Sequence, residues 1–162
     1  LGIDDRDVIP HHDAKSIGHE QTFSHDILDW EEAKKQLLSL ANRVALRMRR
    51  HGVVGRTINL KVKYNDFVLI TRSTTLPEPT DGGPEIYANV CRLLGKTCVG
   101  KRPVRLLGIS LAQLSPSGSE GQLSLFNQEA AGQKRKNLNK ALDSLVDKFG
   151  EKSIGPGTLI NK

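Results

Sequence analysis

The sequence predicts an α+β fold in which four strands form one sheet and two helices cover one of its faces. Two observations predict it. Apolar residues recur at a spacing of two in some segments and near 3.6 in others, and turn-forming residues stand between the segments. Lys15 to Phe23 reads as a first strand, with Ile17 and Phe23 in an extended run. Asp29 then caps a helix, with Glu32 three residues later in capping-box position. That helix runs to about His51, where Gly52 stops it, and Leu37, Ala41, Val44 and Met48 recur along it at helical spacing. Its outer face carries Lys34, Lys35, Arg43, Arg47, Arg49 and Arg50.

From Arg56 the period changes to two: Ile58, Leu60, Val62 and Tyr64 alternate with Thr57, Asn59, Lys61 and Lys63. One face of this strand is therefore apolar and the other polar and basic. A tight turn near Asn65-Asp66 leads to a second run, Val68 to Leu76, completing a hairpin, and Pro77, Pro79 and Gly82-Gly83 break the chain. Pro84 opens a second helix in which Ile86, Val90, Leu93 and Leu94 share a face. Val104 to Leu114, rich in Leu and Ile, is a last strand with the composition of a central one. The order strand-helix-strand-strand-helix-strand is the split β-α-β arrangement of ferredoxin-like folds, with one sheet face left open. The inventory of that face is Thr, Ser, Lys, Arg and His, and the fold alone assigns it no function.

The chain divides into residues 1–14, a linker or the end of a preceding domain; 15–115, the sheet domain; 116–127, a linker; and 128–162, a tail with a helix from Lys134 to Phe149. In the tail helix Leu138, Leu142, Leu145 and Phe149 form one stripe. The linker opens on a Ser/Gly-rich run and contains Gln122-Leu123-Ser124-Leu125-Phe126, two large apolar side chains with no local core. They suit a docking peptide in which Gln122 offers amide hydrogen bonds while Leu125 and Phe126 fill a partner's pocket. A strand or turn folded back on the domain is the alternative. Gln113-Leu114-Ser115 lacks the following Leu-Phe and ends a strand instead.

No segment of the 162 residues has the apolar length to span a bilayer, and the N-terminus lacks a signal-peptide pattern. Cys91 and Cys98 lie seven apart in one amphipathic segment, which stacks them two turns apart on a helix, too far to bridge. They read as small buried hydrophobes of a reduced, cytoplasmic protein. The net charge of +6 hides an asymmetry: residues 1–32 carry nine acidic and two basic side chains, and residues 33–76 carry ten Lys/Arg against Asp66 alone. A segment this basic suggests nucleic acid, the alternative being a solvated basic face. His11, His12, His19 and His25 lack zinc-site spacing, and the acidic residues of 1–32 lack flanking buried strands to aim two carboxylates at one ion. Neither a phosphate-binding loop nor a nucleophile elbow is present, so nothing supports an active site.

Four stretches in order resemble the C-terminal part of Y-family DNA polymerases, in particular the DinB or polymerase IV branch: Lys15 to Phe23 (KSIGHEQTF), Arg56 to Phe67 (RTINLKVKYNDF), Thr71 to Leu76 (TRSTTL) followed by Pro77, and Val104 to Leu111 (VRLLGISL). The resemblance covers about residues 1 to 115, with a looser match beyond Phe126 that includes Lys148-Phe149-Gly150. It implies the little finger domain, which lies in the DNA major groove, and makes residues 1–14 the end of the thumb and its tether. The spacing Q-x-x-L-F is similar to the peptide by which bacterial polymerases hold the sliding clamp, the β subunit of DNA polymerase III. The resemblance therefore implies two partners, primer–template or duplex DNA and the clamp, the latter through Gln122, Leu123, Leu125 and Phe126.

The family's palm and fingers do not match this sequence, nor do their metal-binding carboxylates. The 162 residues should therefore be inactive alone and need no cofactor, with Mg²⁺ expected in the palm of an error-prone translesion parent. The resemblance brings Lys15, Ser16, His19, Thr71, Arg72, Ser73 and Thr74 nearest the DNA backbone, Arg72 foremost, with Arg56, Lys61, Lys63 and Arg105 as further cations. A monomer with no membrane partner is expected. A ferredoxin-like RNA-binding domain would instead expose aromatics on its central strands. The aromatic content is 4% and Tyr64 falls on the apolar face, which counts against base stacking there. A pure clamp-interaction module would leave the basic segment unexplained.

Overall fold

A computed structural model describes residues 14–118, 129–150 and 153–159. Within them the strands are β1 (Ser16–Ile27), β2 (Val53–Tyr64), β3 (Leu69–Thr80) and β4 (Val104–Pro116). The helices are α1 (Trp30–Arg50), α2 (Gly83–Leu94) and α3 (Glu129–Phe149). All pairings are antiparallel and the order is β1-β4-β2-β3. Each helix thus connects two strands separated by a third: β4 lies between β1 and β2, and β2 lies between β3 and β4. The aliphatic last strand is central, as its composition demands.

Asp29 caps α1 by accepting from the backbone N–H groups of Glu31 (3.1 Å) and Glu32 (3.3 Å). The Glu32 carboxylate does not complete a reciprocal box; it accepts from Gln36 at 2.7 Å. His51 is the C-cap, and Gly52 takes the left-handed φ of 63° that turns the chain into β2. One face of the sheet packs against α1 and α2. Its core holds Leu37, Leu40, Val44 and Met48 of α1, Ile86, Val90 and Leu94 of α2, and Ile58, Leu60, Val62, Leu107, Ile109 and Leu111 of the sheet, all buried. Tyr64 closes the core, and its phenolic oxygen accepts the Cys98 backbone N–H at 2.9 Å.

Three expectations need correction. The strand expected to end before Pro77 runs through Pro77 and Pro79 to Thr80. As an edge strand β3 has one side free of ladder bonds, so missing N–H groups are tolerated there. The register jumps from Thr57↔Thr75 to Gly55↔Thr80, so residues 76–79 form a bulge. Cys98 does not share a helical face with Cys91, because α2 ends at Leu94 and Gly95 turns the chain; Cys98 is exposed and Cys91 half-buried. The tail stripe is also divided. Leu142 and Val146 turn toward α1, where they line a cleft of about 600 Å³ with Leu46, while Leu138, Leu145 and Phe149 stay exposed.

Candidate nucleic-acid interface

Strand alternation assigns every side chain of the sheet to a face. Ile58, Leu60 and Val62 point to the helices, so Thr57, Asn59, Lys61 and Lys63 point to the open side. Their register partners join them: Thr75, Ser73, Thr71 and Leu69 from β3, and Ala112, Ser110, Gly108 and Leu106 from β4. Beyond β4, strand β1 adds Ser16, Gly18, Glu20 and Thr22. The result is a bare surface dominated by short hydroxyl side chains, with cations set among them. Thr57 and Thr75 hydrogen bond across the strands at 3.1 Å.

A shallow groove of about 180 Å³ runs across β1 and β4, lined by Gly18, Glu20, Lys61, Gly108 and Ser110 with the backbones of His19 and Ile109. Its floor requires glycine. A Cβ on Gly18 would lie 2.7 Å from Ser110 Cβ and 2.8 Å from the Ile109 carbonyl oxygen, and one on Gly108 would lie 2.9 Å from Glu20 Cβ. At the groove rim Lys61 donates to the Glu20 carboxylate at 2.7 Å. Both side chains are about half exposed, so the pair is screened and exchangeable.

The residues singled out in the sequence do not all meet here. Ser16, Lys61, Lys63, Thr71 and Ser73 lie on the open face, and Lys15 is exposed just before β1. His19, Arg72 and Thr74 occupy register positions of the helix-facing side, opposite Ile109, Leu60 and Ile58. The His19 ring contacts the Arg43 guanidinium at 3.4 Å. Arg72 donates to the carbonyls of Lys96 (3.2 Å) and Thr71 (3.1 Å), beside the end of α2. Arg56 braces the β3 bulge, donating to the Leu76 carbonyl at 3.0 Å and to that of Pro77. Gln122, Leu123, Leu125 and Phe126 lie outside the described residues, as do residues 1–13 with His11 and His12.

Sequence reasoning missed the far end of the face. Tyr64 to Phe67 form a turn closed by the Phe67 N–H to the Tyr64 carbonyl at 3.0 Å, and the Tyr64 N–H bonds Val68 O at 3.0 Å. This loop geometry places its last residue in the left-handed region, a position suited to Gly or Asn. Phe67 occupies it with φ 64°, at a cost of about 1 kcal/mol. Its ring is 62% exposed, with Lys63 Nζ and the Arg105 guanidinium each 5.1 Å from its centroid. Leu69, 53% exposed, stands opposite Lys63. The signal for this end was an apolar run, Phe67-Val68-Leu69-Ile70, that is too long for a strand buried on one side only.

Tyr87 on α2 has its phenol pushed up to about 12 by burial and then by its hydrogen bond to and the charge of Cys91; it belongs to the helix layer, not to the open face. Among the described residues no group of three or more His, Cys, Asp or Glu side chains could hold a metal ion, and no helix is long and apolar enough to cross a membrane.

These features define a class: a split β-α-β domain with one face of its sheet packed and the other bare, hydroxylated and cationic. Comparison with known proteins sharpens it. Residues 14–125 match the impB/mucB/samB family C-terminal domain. The chain is 48% identical over 159 residues to a DNA polymerase IV from Desulfatibacillum aliphaticivorans, covering 98% of this chain and 40% of that protein. With a DNA polymerase IV from Clostridium kluyveri it shares 38% identity over 169 residues, covering 99% of this chain and 42% of the relative. It thus spans about two fifths of the curated relatives it matches. Among solved structures, the little finger domain of PolIV in complex with the beta-clamp processivity factor superposes with a TM-score of 0.53 at 25% identity, over 68% of this chain and 97% of that one. An insertion ternary complex of Dbh DNA polymerase shares the fold at a TM-score of 0.52 and 16% identity, over 60% of this chain and 28% of that one. The chain belongs to the impB/mucB/samB C-terminal domain family, and its fold is similar to that of the little finger domain of PolIV.

Proposed function

We propose that the open sheet face grips duplex or primer–template DNA by its phosphate backbone, as the DNA-holding region of a longer, cytoplasmic, monomeric translesion polymerase. The observation that carries this reading is the face itself. Seven hydroxyl side chains, Ser16, Thr22, Thr57, Thr71, Ser73, Thr75 and Ser110, share it with Lys61 and Lys63 around a groove whose glycine floor admits close approach. Such groups bond phosphate oxygens without reading bases, which suits an enzyme holding damaged or distorted templates. Nucleotidyl transfer with Mg²⁺ belongs to the palm of the longer protein, and no step of it is assigned to these residues. The burial of Tyr64 removes the aromatic that an RNA-binding reading would need on β2.

The second partner in this reading is the sliding clamp, the β subunit of DNA polymerase III, engaged through Gln122, Leu123, Leu125 and Phe126. The solved relative in complex with a beta-clamp supports it. Burying Leu125 and Phe126 contributes roughly 1.5–3 kcal/mol each before ordering costs, which makes the contact a weak one.

Fluorescence anisotropy with duplexes of several sequences and salt concentrations tests the DNA reading. Log affinity should fall linearly with log salt at a slope of roughly −0.9 per neutralised phosphate and be indifferent to sequence. A flat salt response or strong sequence selectivity would overturn it. For the clamp, calorimetry on the double variant Leu125→Ala, Phe126→Ala should show binding abolished with DNA affinity unchanged. Unaltered clamp affinity would remove those residues from the role.

A further inference from the structure

We infer that Phe67, with Lys63 and Arg105, forms a stacking platform for the first unpaired nucleobase of a single-stranded overhang at the hairpin end of the open face. The inference rests on reading that face as a grip for phosphates, and it adds a different chemistry to it. Hydroxyls and lysines along the sheet can hold a sugar–phosphate backbone, but none of them can stack on a base. Phe67 can. Its ring is among the most exposed of the large apolar side chains in the described residues, and its backbone is in a conformation that a phenyl-bearing residue gains nothing locally by adopting.

Charge complementarity names the occupant. Lys63 and Arg105 flank the ring at 5.1 Å each, and neither faces a carboxylate among the described residues. The nearby Asp66 carboxylate is taken by Arg102, whose guanidinium also lies 4.2 Å from the Tyr64 ring centroid. An aromatic face between two available cations matches a nucleotide, whose base stacks while its phosphates meet the cations. A purely apolar protein partner would leave both charges desolvated and unpaired.

Position completes the argument. From Thr57 to Lys63 the open face spans about 20 Å of strand at about 3.3 Å per residue. A duplex rises about 3.4 Å per base pair, so roughly six pairs cover it. The hairpin tip lies beyond the last of the hydroxyl side chains, and an unpaired base is the one whose face is free to lie on the ring.

The test uses the whole 162-residue chain, a blunt duplex, and the same duplex with a four-nucleotide overhang carrying 2-aminopurine at its first unpaired position. The overhang should tighten binding about tenfold and quench the 2-aminopurine. Phe67→Asn, which suits the left-handed backbone and keeps the fold, should abolish both effects and leave blunt-duplex affinity unchanged. Phe67→Tyr should retain both. Blunt duplex bound with no overhang preference, or an overhang preference that survives Phe67→Asn, overturns the platform while leaving the phosphate grip standing. Overhang binding through Phe67 with no blunt-duplex binding supports the platform and overturns the grip. A Phe67→Asn change confined to the sedimentation of the protein assigns the ring to a second copy of the chain and overturns the platform.

Discussion

The cations of α1 and those of the open sheet face are similar in kind and opposite in availability. Six of the ten Lys and Arg residues between positions 33 and 76 lie on α1, on the other side of the sheet from the open face. Four of those six face carboxylates: Lys34 with Glu31 at 3.1 Å, Lys35 with Glu32 at 3.9 Å, Arg49 with Asp143, and Arg50 with Asp147. Arg47 donates to the Gly18 carbonyl at 3.3 Å. On the open face, by contrast, Lys63 and Arg105 lean on an aromatic ring, and Lys61 holds an exposed pair with Glu20. The densest positive stretch of sequence is therefore mostly spent on the protein itself. Sparser cations on the sheet remain for a polyanion. Charge counts locate a partner's chemistry, while the geometry locates the face.

The contrast breaks if the wrong set of cations controls DNA binding. The double variant Lys61→Ala, Lys63→Ala should weaken duplex binding by about 2 kcal/mol, roughly 30-fold, and reduce the salt slope by about two units in an anisotropy titration. Equal loss from Arg43→Ala, Arg47→Ala would place the DNA on α1. Next in size is Arg49→Ala, which removes a two-point pair with Asp143 (2.6 and 2.7 Å) and a bond to the Asp81 carbonyl at 3.1 Å. Only a fifth of each side chain is exposed, so about 1–2 kcal/mol of α3 docking should be lost. Faster amide exchange in α3 with unchanged duplex affinity is the expected result. Glu20→Gln frees Lys61 and removes a negative charge from the groove rim, so duplex affinity should rise two- to threefold at low salt and converge with the parent's at high salt.

The smallest effect lies in the helix layer. The folded state raises the Tyr87 pKa, so the unfolded chain loses the phenolic proton first as pH rises. Its contribution to stability is full below pH 10 and disappears as pH rises through about 12. Tyr87→Phe should flatten the alkaline limb of a stability–pH curve relative to the parent and leave duplex binding alone.

Much of this was legible in the sequence because it was local. The alternation Ile58, Leu60, Val62, Tyr64 was enough to orient β2, and Asp29 was enough to start α1. What escaped depends on contacts between distant parts of the chain. Arg49 and Asp143 lie 94 residues apart, and no pattern near either one announces the other. Arg56 looked like a free cation because the two carbonyls it braces exist only once β3 bulges. Pro77 and Pro79 looked like a break because propensity does not say whether a strand will be an edge. Register was the hardest to foresee: Arg72 and Thr71 are neighbours in sequence and face opposite sides of the sheet.

Those two prolines also decide what the domain does in company. An outermost strand offers its spare main-chain groups as a template on which another molecule's strand can pair. Pro77 and Pro79 withdraw two of the donors that such pairing would need, and the bulge from 76 to 79 spoils the straight register of that half of β3. Stacking into shared sheets is thereby discouraged at one end of the strand. The exposed backbone that remains, around Thr71 and Ser73, is left for transient visitors rather than permanent neighbours.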